Sequence, residues 1–456
     1  MPSEPAQAGL DMEVEILGQQ PALQVYTQMS SVFRLQHDAQ VEEILNTLRN
    51  GLSQIAKDFP WLAGQVVHER TGHDGSGVFK IKPFEETPRL VVKDARQVGS
   101  MPSIDDMTAA GYPMSMFDET KIAPRMTIPG GPGETVNDPE PVLLFQVTLA
   151  TGALILTSAT AHRAIDAIGQ AQILHWLSQA CHGIPSTEED KMVGNMDRRA
   201  LIPLLDSSCD VETEFRTLWI RPTATPGKNT DPSPPCSWAT IRISWDALTR
   251  LKADATKTIS TSFISTDDAL TALVWQAIMR ARHHRIDLNR EVRMTRAIDV
   301  RSHCNLSPKY PGLMQSQKLN RYRLNELLDA TLGEIASRLR AELDPVKTLH
   351  ELSGLATLLE RDADKTRYSF VASTDSTIDI NLSSWAKVDC YDDDFNFGLG
   401  KPVTVIRPHF SPYEGLIYVM PRSAENGMTV TICLRDDEME DLKRDARLNE
   451  YAEFLG

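Results

Sequence analysis

The chain has 456 residues, with 47 Lys plus Arg against 62 Asp plus Glu and a formal charge of −15. At 41% hydrophobic and 24% charged residues the composition is globular, and the length exceeds the ~250–300 residues at which a single core stops growing, so two domains are expected. The acidic surplus, with no basic run to offset it, argues against nucleic acid or an anionic membrane as partner but leaves room for a phosphate held by a local cluster of cations and backbone N–H groups. The opening MPSEPAQAGLDMEVEILG has no leader-like apolar region, no stretch nears the ~18 apolar residues of a membrane span, and the six cysteines are scattered without a CxxC pair. A reducing, cytoplasmic setting without a metal centre is the expectation.

In chain order, Val41, Ile44, Leu45, Leu48, Leu52 and Ile55 recur at helical spacing until Pro60 stops the pattern. QVVHE, VFKIKPF and LVVKD then read as short strands, and the Pro-, Gly- and Asp-rich text from Gly111 to Pro141 as a long loop. PVLLFQVTLA and GALILTSAT form a hairpin turning at Thr151 and Gly152. AIDAIGQAQILHWLSQACHG follows as a helix ending on Gly183, so AHRAID sits where a central strand hands over to a helix. Residues 221–235 carry five prolines and little that could pack, which makes them a crossover between domains at 1–220 and 238–456. The second half runs from a strand (WATIRIS) through a helix (DALTRLKADATK) to a long helix capped by Ser265 or Thr266. Strands near MTRAIDV and TVTICLRDD and a last helix over EMEDLKRDARLNEYAEFL complete it.

His162, in Ala161-His162-Arg163-Ala164-Ile165-Asp166, is the residue best placed for chemistry. A neutral imidazole with a reference pKa of ~6.5 can take a hydroxyl proton as attack begins and return it to a leaving group near neutral pH. Taken alone, an HxxxD string is better read as a strand-capping histidine with Asp166 as a turn residue. His283 and His284 sit near a helix end, where cations favour the dipole, and His175 and His182 flank an apolar helix face with no partner at zinc-ligand spacing. The acidic DCYDDD run reads as a solvated loop.

The stretch SSWAKVDCYDDDFNFGLGKP from Ser383 to Pro402, taken with HRAID, resembles the BAHD acyltransferase family, whose marks are HxxxD and a downstream DFGWG. Asp394-Phe395-Asn396-Phe397-Gly398 occupies the second place, Phe59-Pro60-Trp61-Leu62-Ala63-Gly64 resembles the family's YPLAG, and Asp299-Val300-Arg301 its DxR. Pro60-Trp61, Tyr112-Pro113-Met114, STDDAL, Tyr310-Pro311-Gly312-Leu313, SSWAKV and GLGKP are similar to the fungal branch that acetylates trichothecenes. The resemblance implies an α/β fold of two chloramphenicol-acetyltransferase-like domains, each a mixed sheet with flanking helices. Between them it implies a channel entered by acyl-CoA from one side and by a small-molecule alcohol from the other. It further implies an enzyme that moves an acetyl group from acetyl-CoA to a sesquiterpenoid hydroxyl, with another secondary-metabolite alcohol, a longer acyl donor or a non-catalytic relative as alternatives; because both domains come from one chain, a monomer suffices.

Site residues follow from the same resemblance. His162 is the base, and Asp166 pairs with Arg301 to hold the loop that presents the imidazole. Asp394 and Gly398 belong to a loop away from the chemistry that supports the CoA half. From the chemistry of the residues themselves, Ser383, Ser384 and the Trp385 indole are the nearest candidate oxyanion donors, and Lys257 with Ser265 and Thr266 at a helix N-terminus are expected to hold CoA phosphates. Asn396 and Phe397 depart from the family's Gly and Trp, which leaves that loop's shape open.

Overall fold

A computed structural model describes residues 9–36, 41–70, 76–97, 101–130, 138–220, 234–425 and 427–456. The first long helix spans Val41–Asp58 and buries Ile44, Leu45, Leu48, Leu52 and Ile55 along one face; Pro60 then opens the short turn Pro60–Ala63. The hairpin strands Leu143–Ala150 and Ala153–Ala161 are buried at every residue and turn on Gly152 at φ +71°. Their side chains alternate between two cores: Leu154 and Leu156 join the one under the helices Val41–Asp58 and Ala167–Cys181, while Ala153 and Ile155 join Ile104, Met107 and Phe117 on the opposite face.

These two strands lie in a five-stranded sheet, in the order Thr404–Ile406, Tyr26–Arg34, Ala153–Ala161, Leu143–Ala150 and Arg89–Asp94. A seven-stranded mixed sheet in the second half runs Gln315–Arg323, Glu291–Asp299, Ile380–Ser384, Leu416–Val419, Met428–Arg435, Cys236–Ile243 and Glu453–Phe454. The helix Thr266–Arg282, buried along nearly its whole length, packs in the core of that sheet. A small four-stranded sheet (Met12–Glu13, Gly77–Lys82, Gln65–Arg70, Glu140–Pro141) completes the first half.

Several sequence expectations are corrected. The span 111–141 is not one loop: it holds the turn Met114–Met116, the helix Glu119–Ile122 begun by the Asp118 cap, and the strand Glu140–Pro141. The terminal helix is broken into Asp436–Lys443 and Ala446–Asn449, because Asp445 caps the second piece at Leu448 N while pairing with Arg280, and the chain ends on the edge strand Glu453–Phe454. Most consequentially, Thr404–Ile406, assigned by sequence to the second half, pairs antiparallel with Ser30–Val32 in the first sheet. Residues 221–233 of the expected crossover lie outside the described residues.

Candidate active site

The strand Ala153–Ala161 delivers His162 at its end. Val25 O accepts the His162 N–H at 2.9 Å, and Ala161 O accepts from both Ala164 N and Ile165 N, so the chain turns tightly before the helix Ala167–Cys181 begins. The imidazole is partly buried, with Nδ1 3.2 Å from Ile165 O. A carbonyl can only accept, so Nδ1 carries the proton and Nε2 keeps its lone pair. Burial holds the imidazole below its ordinary value, helped by the positive charge of Arg407 and opposed by the Ile165 carbonyl and Asp166. The imidazole is therefore neutral at pH 7.

Asp166 serves the backbone and not the imidazole. Its Oδ1 accepts from Gly169 N at 2.8 Å, which caps the helix, and from Arg301 Nη2 at 2.9 Å; its Oδ2 accepts from Arg301 Nη1 at 3.0 Å and Met314 N at 2.8 Å. Arg301 spends its remaining donors on Tyr310 O, Gly312 O and Asp299. Both side chains are buried, so the charges balance each other and every lone pair is met. Gly169 is required here, because a Cβ would stand 2.0 Å from Pro311 O. Behind the same 310–314 segment lies a second buried pair, in which Glu15 accepts from Arg198, from the Tyr310 hydroxyl at 2.6 Å and from Leu313 N. The Arg198 guanidinium lies 4.1 Å over Trp61 of the PWLAG string.

A cavity of about 380 Å³ opens where the halves meet. Its walls include Asp166 and Ile168 from the first half, and Ser265, Arg296, Ser383 and Trp385 from the second. Ser265 caps the helix Thr266–Arg282, but its partner is Asp268, whose carboxylate already meets the positive helix end and is held by Arg296 at 3.0 Å and by Arg340. Thr266 is the first helical residue. Lys257 is not among the lining residues and donates to Asp254 at 2.6 Å on the surface. Lys387 and Arg422 do line the cavity and are exposed; sequence reading passed over Lys387 although it lies within SSWAKV, and Arg422 belongs to no motif. Of the three expected donors, the Trp385 indole gives its N–H to Ser383 Oγ at 3.2 Å and Ser384 gives its proton to Asp267 at 2.8 Å. Ser383 accepts in that contact and retains its own proton.

The Asp394–Gly398 loop docks on the far end of the His162 helix. Asp394 pairs with His182 at 2.6 Å and Asp393 with His175 at 3.0 Å, Phe395 N donates to Ser178 Oγ, and Asn396 Nδ2 to Cys181 O. Phe395 and Asn396 are both left-handed (φ +52° and +53°), a conformation Asn tolerates where the family uses Gly, and Gly398 follows at +69°. Phe397 fills the tryptophan's place, with its ring 5.4 Å from Phe395 and 5.5 Å from Phe33. His283 and His284 each donate Nδ1–H to a carbonyl, of Arg280 and Ala281 respectively, where their helix ends. Among the described residues no group of three or more His, Cys, Asp or Glu side chains could hold a metal ion.

The model of a transferase family matches residues 132–449, and that of a trichothecene 3-O-acetyltransferase-like N-terminal domain matches residues 25–181. The chain belongs to the BAHD acyltransferase family. It is an acyltransferase, 42% identical to a trichothecene 3-O-acetyltransferase of Fusarium sporotrichioides across 100% of this chain and 99% of that one. An O-acetyltransferase of Cryptosporiopsis sp. is 40% identical over 98% of each chain. The crystal structure of F. graminearum TRI101 complexed with coenzyme A and deoxynivalenol superposes with a TM-score of 0.93 at 40% identity, covering 98% of this chain and 100% of that one. Vinorine synthase, at 16% identity and a TM-score of 0.66, shares the α/β fold.

Proposed function

We infer that this BAHD enzyme transfers an acetyl group from acetyl-CoA to a hydroxyl of a fungal sesquiterpenoid of the trichothecene type, with His162 as general base. The alcohol oxygen attacks the thioester carbonyl while its proton passes to His162 Nε2. The tetrahedral intermediate then collapses with cleavage of the C–S bond, and the imidazolium returns the proton to the departing thiolate. Asp166 holds the turn that presents the ring. Ser383, the cavity hydroxyl whose proton is uncommitted, faces the developing oxyanion. The cavity of about 380 Å³ receives the CoA arm, with Lys387 and Arg422 taking the phosphate role that sequence reading gave to Lys257.

The observation that carries this reading is the fixed tautomer: a carbonyl holds the proton on Nδ1 and leaves the Nε2 lone pair free, on a ring that stands just before Asp166, Ala167 and Ile168 of the cavity wall without itself lining the cavity. The trichothecene preference rests on the 42% identical relative and on the complexed structure at a TM-score of 0.93. A different secondary-metabolite alcohol is the second reading, favoured by the 40% identical O-acetyltransferase. Both halves of the site come from one chain, which suits a monomer, and six free cysteines suit a reducing cytoplasm. No helix among the described residues is long and apolar enough to cross a membrane. Acceptor-dependent thiol release from acetyl-CoA, measured with deoxynivalenol and with unrelated alcohols and followed by product mass, tests the reading. Release with the trichothecene and a mass gain of one acetyl group is expected; no release with any alcohol would overturn it.

A further inference from the structure

One buried cation beside His162 has almost no partner. Arg407 directly follows the strand Thr404–Ile406, as His162 directly follows Ala153–Ala161. Both strands run antiparallel to Tyr26–Arg34, on either side of it, so they run parallel to each other and open at the same end of the sheet. The Arg407 side chain leaves the first sheet there and enters an aromatic clamp drawn mostly from the second half. Its guanidinium carbon lies 4.7 Å from the ring centres of Phe410 and Tyr418 and 5.8 Å from that of Trp385, a wall of the cavity given to the CoA arm, which Arg407 itself does not line.

The residue is 3% exposed, yet no carboxylate among the described residues pairs with it. Among the described residues its one hydrogen bond is a long contact from Nη2 to Thr127 Oγ1 at 3.5 Å, and Nε is buried without an acceptor. Cation–π attraction offsets part of the desolvation, but a guanidinium carries five N–H donors and this one leaves most of them unspent. Such an arrangement is costly in the free protein and is satisfied when an acceptor oxygen arrives.

We propose that Arg407 is a specificity-determining residue on the acceptor side of His162, donating N–H to a second oxygen (ether, epoxide, ester or ketone) carried by the alcohol that His162 deprotonates. This rests on the acyl-transfer reading above. It makes the preferred acceptor a polyoxygenated alcohol and sets apart one with a single hydroxyl on a hydrocarbon frame. A site built to hydrogen-bond an oxygen discriminates strongly against an analogue lacking it, because the buried donor is then left unpaired.

The test compares deoxynivalenol with cyclododecanol as acceptors for the wild type, Arg407→Met and Arg407→Lys. Methionine should fill the aromatic clamp without donors, lowering kcat/KM for deoxynivalenol by about ten- to a hundredfold, chiefly through KM. The loss for cyclododecanol should stay within about threefold, and lysine should restore part of the deoxynivalenol activity. An equal loss with both acceptors would overturn the proposal, because the guanidinium would then act on atoms common to every reaction, and so would no loss at all. CoA affinity by calorimetry and the melting temperature show whether Arg407→Met folds; if it does not, Arg407→Lys carries the same two-acceptor comparison. A wild type that acylates neither alcohol would instead count against the acyl-transfer reading.

Discussion

Two arginines buried near His162 are used in opposite ways. Arg301 spends its donors on Asp166, Asp299 and the carbonyls of Tyr310 and Gly312, and through them ties the turn after the hydrogen-bonded strand to the second half. Arg407 is equally sequestered but rests on aromatic faces and one long hydrogen bond. A buried cation with every donor met is architecture, and removing it leaves a carboxylate stranded. A buried cation with donors to spare is held for something absent from the free protein. The same contrast separates Asp166, whose four hydrogen bonds all serve the fold, from His162, whose one ring contact leaves Nε2 open.

The sharpest way to break this division is at its two poles. His162→Ala should reduce kcat by about 10²–10⁴-fold while the melting temperature stays near that of the wild type, since the side chain contributes a proton acceptor and little packing. Arg301→Met should do the reverse first: chemical denaturation should show a loss of about 3–5 kcal/mol, because Asp166 loses its counter-charge in a buried site. Adding Asp166→Leu to that variant should recover part of the stability without recovering activity. Ser383→Ala, which removes the uncommitted hydroxyl, should lower kcat by about 10²-fold with KM little changed. In the pH profile of kcat/KM, the acid limb should lie below 6.5, because the imidazole must be neutral to act and burial favours that form. Activity is thus present above the depressed value and lost as pH falls through it, and Arg407→Met should move the limb upward. The smallest effect belongs to Asp394→Asn: the pair with His182 is 39% exposed on each side, so about 0–1 kcal/mol and less than a twofold change in kcat are expected.

What sequence could reveal depended on how local the signal was. The strand–His162–helix handover was legible because the hairpin, the apolar periodicity after Asp166 and Gly183 all lie within about forty residues. The Asp166–Arg301 pairing spans 135 residues and entered only through family resemblance. Arg407 belongs to no motif, and its placement depends on a three-residue strand whose partner is more than 370 residues earlier, a pairing that composition and spacing do not encode. The oxyanion candidates could not be ranked from sequence for a related reason: Ser383, Ser384 and the Trp385 indole all have the right chemistry, but the hydrogen bonds of Ser384 to Asp267 and of the indole to Ser383 exist only in three dimensions. Lys257, expected beside the CoA phosphates, instead pairs on the surface with Asp254 three residues earlier, a contact that spacing alone did not reveal. The altered loop, by contrast, was readable in hindsight, since Asn is a residue that accepts the left-handed backbone a family glycine would occupy.

The most direct test of the central assignment is a single-turnover measurement of acceptor-dependent thiol release from acetyl-CoA by the wild type and His162→Ala, with CoA affinity measured on both. An unchanged CoA dissociation constant together with loss of acceptor-dependent release in the variant is the predicted result. Release at close to the wild-type rate from the alanine variant would mean that another group accepts the hydroxyl proton, and the assignment of His162 would be wrong.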